Sequence, residues 1–162
     1  MKIYRLGIVL IVALALSAPL LAQKAPLIVV VNSSRPETNL SRLDLLTIFL
    51  GKGQYWADRS QISVILPPND DLVANLVFYE FLGTPRNKLK AKWTAKVSQR
   101  EVRRMPDEPK TTADALSALA RNDGGILVVS QTALDGYPGA DQFKVLLIDG
   151  RAPGTDGYAL AR

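Results

Sequence analysis

The chain has 162 residues, with 20 Lys and Arg against 15 Asp and Glu, a formal net charge of +5, and neither His nor Cys. Without imidazole or thiol, the usual general base, thiol nucleophile and soft metal ligands are missing, so catalysis would rest on carboxylates, lysines or serines alone. The absence of Cys also means that an exported form would fold without disulfides.

Residues 1–22 open with Lys2 and Arg5, run through an apolar stretch at 6–16, and leave through Ser17, Ala18, Pro19, Leu20, Leu21 and Ala22. This is the layout of a secretory signal peptide cleaved after Ala22 or Ala18, and it predicts a periplasmic or secreted protein. An uncleaved anchor helix is the competing reading, because the apolar run to Ala22 is nearly long enough to span a bilayer. Its length and flanks favour cleavage. A bacterial lipoprotein would need an acceptor Cys at the cleavage site, and none exists. Residues 23–162 form one domain on length, enough for a single core that buries about two-thirds of its surface. Removing Lys2 and Arg5 leaves 18 basic against 15 acidic residues. A balance that mild does not argue for nucleic acid as a partner.

The β-branched run at 27–31, closed by Asn32, reads as a strand buried on both faces, as in a parallel sheet. Ser41 then N-caps a helix with Asp44 three residues on, and Leu43, Leu45, Leu46, Ile48 and Phe49 give it an apolar face that ends at Gly51. Residues 62–66 form a second buried strand, halted by Pro67 and Pro68. A helix follows from Asp71 to Gly83, with Leu72, Leu76, Phe78, Tyr79 and Leu82 at helical spacing. Thr84 caps and Pro85 starts the next helix, which lasts to about Gln99. The charged segment 101–110 is a loop, and Thr112 caps a helix over 113–121. Asp123, Gly124 and Gly125 turn the chain into a strand at 126–129, and a helical turn at 132–134 precedes the last strand at 143–148. Strands alternating with helices give an α/β fold, with a mixed, mostly parallel sheet flanked by helices.

The pair Asp70 and Asp71 stands at a strand-to-helix junction. Neighbours in sequence do not face each other, which favours a helix cap over a shared-proton dyad. Gly51, Lys52 and Gly53 are too short for a phosphate-binding P-loop and fit a helix C-terminus. Ser33 and Ser34 after the first strand either offer hydroxyls to a ligand at the sheet's carboxyl edge or belong to an ordinary polar turn.

Three stretches resemble the phosphate ABC transporter substrate-binding family: IFLGK with Trp56 behind it, GGILVV at 124–129, and KVLLIDGRAP…YALAR at the C-terminus. The resemblance implies a single periplasmic-binding-protein-like lobe, the second of the family's two, with 23–162 as that domain. Since the chain ends at Arg162, the opposing wall of a clamshell is expected to be missing. In phosphate binders of this family the strand matching 62–66 leads into Arg-Ser-Asp-Gly-Ser-Gly-Thr-Thr, which holds the phosphate oxygens. Aligned on the following helix, those positions are Pro68, Asn69, Asp70, Asp71, Leu72, Val73, Ala74 and Asn75 here, and only Asp70 matches. The anion loop is therefore expected to be degraded.

The remaining concentration of charge is basic. Lys88, Lys92 and Lys96 form a stripe on the helix beside Leu89, Trp93 and Val97, and Arg100 extends it. It reads either as a solvated face over a buried Trp93 or as a docking surface for an acidic envelope partner, a transporter or sensor, or for an anionic membrane. The expected function is an exported, non-catalytic binding or adaptor domain with no cofactor and no metal. The alternative is a genuine solute-binding protein for phosphate or another small anion, using Asn32, Ser33, Ser34, Asn69 and Asp70 where their two loops would meet.

Overall fold

The computed structural model describes residues 26–161; the expected signal peptide at 1–22 lies outside them. Five strands and five helices follow one another as β1 (Leu27–Asn32), β2 (Asn39–Leu40), α1 (Arg42–Phe49), β3 (Ser63–Ile65), α2 (Leu72–Leu82), α3 (Arg86–Ser98), α4 (Thr112–Ala120), β4 (Gly125–Ser130), α5 (Gln131–Asp135) and β5 (Phe143–Ile148). The strands form one sheet in the order β2-β5-β1-β4-β3. β2 pairs parallel with β5 and β3 parallel with β4, whereas β1 is antiparallel to both of its neighbours. Four strands therefore point one way and β1 alone points back, which is the mixed, mostly parallel α/β sheet expected from the sequence.

The expectation for β1 itself needs correction. Its apolar run is buried on both faces, but it is the one strand that opposes the rest. A continuous hydrophobic run reports cover on both faces and carries no information about direction. On one face Val29, Val31, Ile126 and Val128 pack under α1, α2 and α3; on the other Ile28, Val30, Leu127 and Val129 pack under α4 and α5.

The helix ends obey local chemistry. Ser41 and Asp44 form the expected capping box on α1, and Gly51 (φ +72°) leads the chain away beneath Trp93, where an added Cβ would lie 3.2 Å from the indole. Asp71 caps α2 and Gly83 ends it in the left-handed conformation. Two caps differ from expectation. Pro85, extended at ψ 156°, is the residue before α3, and Thr84 does not cap it but accepts from Lys92 Nζ at 3.4 Å. Thr111, not Thr112, caps α4, because the Thr112 hydroxyl is engaged by Asp70.

The buried stripe of α2 is Ala74, Val77, Phe78 and Leu82, leaving Leu72 and Leu76 exposed. The helix is apolar nearly all round, so spacing alone could not select its inner face. Leu43 on α1 is likewise outside the core. Trp93 is buried, and its indole N–H donates to the Phe49 carbonyl at 2.9 Å, fastening α3 to the end of α1. No helix among the described residues is long and apolar enough to cross a membrane.

Candidate functional site at the carboxyl edge of the sheet

The strand directions decide where the sequence candidates sit. Because β1 opposes β3, their carboxyl ends lie at opposite edges of the sheet: Val31 pairs with Ile126 near the start of β4, while Leu27 pairs with Ser130 at its end. Asn32, Ser33 and Ser34 thus occupy the amino edge of the four parallel strands, and Asn69 and Asp70 the carboxyl edge. The two loops do not meet. In an all-parallel sheet both strands would deliver their loops to one side; the reversal of β1 sends them to opposite sides.

Asn32 folds its own turn. Its Oδ1 accepts from Ser34 N–H at 3.0 Å and Ser34 Oγ at 2.9 Å, and Ser33 N–H donates to the Gln142 carbonyl at 2.9 Å. This is the ordinary polar turn, in which a side-chain carbonyl takes the place of a backbone acceptor. Asn69 is exposed and accepts from Arg86 Nη1.

At the carboxyl edge α1, α2 and α5 begin directly after parallel strands, and α4 starts beside them. Helix N-termini present unpaired N–H groups and a positive dipole end, the usual means of holding an anion. Here side chains of the chain itself take these positions. Asp44 Oδ2 accepts from Ser41 N–H at 3.0 Å, and Asp149 Oδ1 accepts from Arg42 N–H at 3.0 Å at the head of α1. Asp71 is buried and divides its carboxylate, with Oδ1 accepting from Ala74 N–H of α2 at 3.0 Å and Oδ2 from Ser130 N–H before α5 at 2.8 Å. Asp70 accepts from Thr112 N–H and Thr112 Oγ1 of α4, both at 3.0 Å. The cap reading of the acidic pair holds, and each Asp also ties two segments together.

Two further features complete the surface. Lys88 and Lys92 on α3 and Arg100 just beyond its end are exposed, whereas Lys96 is half-buried and paired with Glu101 at 2.8 Å. Arg35, which sequence reasoning did not single out, is buried. Its guanidinium forms two hydrogen bonds to Glu37 (2.9 and 2.7 Å), contacts Asp58 at 3.2 Å and Ser60 Oγ at 2.9 Å, and lies 4.9 Å over the Trp56 ring. The Glu37 hydrogen bonds hold Arg35 above its ordinary value. Burial pushes Glu37 up, but the Arg35 hydrogen bonds, a backbone hydrogen bond and the Arg35 charge together bring the net shift downward. Hydrogen bonds from Ser60, then Arg35, lower Asp58. A buried arginine needs such partners, and Arg-Pro-Glu three residues beyond a strand was the only sequence signal for it.

No family model matches the sequence, and no curated protein matches it. Among solved structures the chain is similar to an ABC-type phosphate transport receptor from Vibrio cholerae, with a TM-score of 0.60 and 16% identity over 84% of this chain and 53% of that one. It is also similar to PstS from Borrelia burgdorferi, at TM-score 0.59 and 12% identity over 81% of this chain and 50% of that one. The fold is the one those proteins share. The chain spans about half the length of the solved chains it matches, in keeping with the single-lobe resemblance read from its motifs. The GGILVV match has a steric basis: a Cβ on Gly124 would stand 2.2 Å from the Gln61 carbonyl oxygen. The first Gly lets the loop before β3 close against β4.

Proposed function

We propose that this chain is an exported, non-catalytic binding or adaptor domain of the cell envelope, built on a phosphate-binding-protein lobe whose anion loop serves internal contacts. One observation carries the reading: Asp70 and Asp71 stand at the junction after β3 and accept the N–H groups of Ala74, Thr112 and Ser130. A carboxylate already held there leaves an incoming phosphate facing like charge. The chain also lacks the guanidinium and hydroxyls that would offset it, with Leu72, Val73 and Ala74 in the corresponding positions. A micromolar site needs about 8 kcal/mol of net binding free energy, and hydrogen bonds to a charged group contribute roughly 1.5–3 kcal/mol each. Losing the Arg fork and its hydroxyl partners removes most of that.

The partner in this reading is an acidic envelope protein, a transporter or sensor, met by Lys88, Lys92 and Arg100, with Lys96 contributing less because Glu101 offsets it. Calorimetry with inorganic phosphate tests the loop. No micromolar site is expected. A dissociation constant near one micromolar would overturn the reading in favour of a phosphate or small-anion binding protein that uses Asn69 and Asp70.

A further inference from the structure

We propose that Arg103 and Arg104 are a proteolytic processing site, and that the cut chain remains one folded body made of two interlocked pieces. The two arginines stand exposed in the arch that follows α3, with Val102 and Pro106 buried on either side of them. Little holds the backbone there. The chain leaves α3 through Arg100, in the left-handed conformation at φ +59°, and Glu101 N–H donates to the Lys96 carbonyl at 2.9 Å. Strand-like bonding resumes at Asp107, whose N–H donates to the Val64 carbonyl at 2.9 Å. Among the described residues, the main chain of 103–106 neither donates nor accepts a hydrogen bond. An endoprotease takes its substrate as an extended segment whose main-chain groups bond to the enzyme, so a stretch with no internal bonds to surrender is the easiest to present. Other exposed basic residues in loops are held. Lys52 N–H donates to the Thr47 carbonyl at 2.8 Å, Arg59 N–H to the Trp56 carbonyl at 2.9 Å, and Arg151 exchanges two bonds of 3.0 Å with Ile148. Lys110 lies between Pro109, whose carbonyl accepts from Asn69 N–H at 3.3 Å, and Thr112, whose N–H donates to Asp70 at 3.0 Å by way of the intervening Thr111 cap. Adjacent arginines suit an enzyme whose primary pocket carries a carboxylate, as in trypsin-type serine proteases. The step is hydrolysis: the C–N bond after Arg103 or Arg104 breaks and one water is added across it, leaving a carboxylate on the arginine and an ammonium group on the next residue.

The sheet order carries the second half of the proposal. β1, β2 and β3 precede the cut and β4 and β5 follow it, and in the order β2-β5-β1-β4-β3 the two sets alternate. Each pairing between strands of the sheet therefore joins one piece to the other, and none lies within a piece. The core is shared in the same way, with Val29 and Val128 from different pieces on one face and Val30 and Leu127 on the other. Opening the arch removes a covalent tether and no strand pair. What changes is the molecularity of unfolding: the intact chain unfolds to one molecule and the cut form to two, so the stability of the cut form depends on its concentration. The proposal uses neither the α3 docking residues nor the anion loop, and it stands whether or not the function proposed above is correct.

Limited digestion of the full chain with trypsin under native conditions tests both halves. Within residues 26–161 the first cut, read by intact mass, should fall after Arg103 or Arg104, and the two pieces should elute together at the parent's position in size exclusion. The melting temperature of the cut protein should rise with its concentration, while that of the parent stays fixed. Arg103→Gln and Arg104→Gln together should slow cutting within 26–161 by about tenfold and leave the melting curve unchanged, because both side chains are exposed. A first cut at Lys52, Arg59 or Lys110, or a double variant cut as fast as the parent, would overturn the processing site. Pieces that part on the column, or a cut form whose melting ignores concentration, would overturn the interlocked product.

Discussion

Arg35 gathers hydrogen bonds, ion pairs and an aromatic contact on one buried guanidinium, and it sits in a loop that carries no ligand in the reading above. Its guanidinium joins the exit of β1 to the loop before β3 through Glu37, Asp58 and Ser60, and stacks on Trp56, whose indole N–H donates to the Gly124 carbonyl at 3.0 Å. Removing one partner of a buried ion pair leaves the other uncompensated. Arg35→Ala should therefore cost about 3–5 kcal/mol in denaturant unfolding, toward the lower end because Asp58 is partly exposed. The pH dependence follows from the directions of the shifts. Glu37 and Asp58 are held below their ordinary values, so their stabilisation is complete above the normal carboxylate range and is lost as pH falls through it. Arg35 stays charged throughout. Acid unfolding monitored by tryptophan fluorescence should show a steeper loss below about pH 4.5 in the parent than in Arg35→Met, since the variant has already lost the linkage.

Among the elements, α3 separates packing from surface charge. Trp93 is 5% exposed and ties the helix to Phe49, so Trp93→Ala should cost about 3–5 kcal/mol in stability. Replacing Lys88, Lys92 and Arg100 together with Gln should change stability little, roughly 0.5 kcal/mol per site at most. If α3 docks an acidic partner, the triple variant should bind envelope fractions more weakly than the parent at low salt. That difference should shrink as salt rises, because exposed charges are screened within about 8–10 Å at physiological ionic strength. Equal binding by the two proteins at low salt would reduce the stripe to a solvated face. The sequence made some elements legible and not others, for identifiable reasons. The start of α1 could be read to the residue because Ser41 and Asp44 are a reciprocal cap, and the burial of Trp93 because Leu89 and Val97 flank it at helical spacing. The inner face of α2 was not legible, since apolar residues surround that helix. Of the candidate site, the cap role of Asp71 was legible, but the separation of Asn32 from Asn69 was not. It depends on the direction of β1, which only the pairing of distant segments determines.

At the scale of the whole molecule, intact mass of the protein from its native envelope should show removal of about the first 22 residues, as the basic start and apolar run imply. A full-length, membrane-embedded species would support the anchor reading instead. The single reversed strand also governs how the chain reaches its fold. β1 is the centre of the sheet, yet its register partners are Ile126 to Ser130 on one side and Phe143 to Leu146 on the other. Nothing encoded in the first hundred residues can satisfy its backbone, and loops that long must close before either pairing is rewarded. A nascent chain emerging from its amino end therefore carries Leu-Ile-Val-Val-Val with an open edge on each side until residues 126–146 have been made, a segment with the composition of an aggregation nucleus. Sheet assembly is therefore expected to wait for β4 and β5, and until they are made the β1 segment is the part of the chain that most needs shielding from other chains.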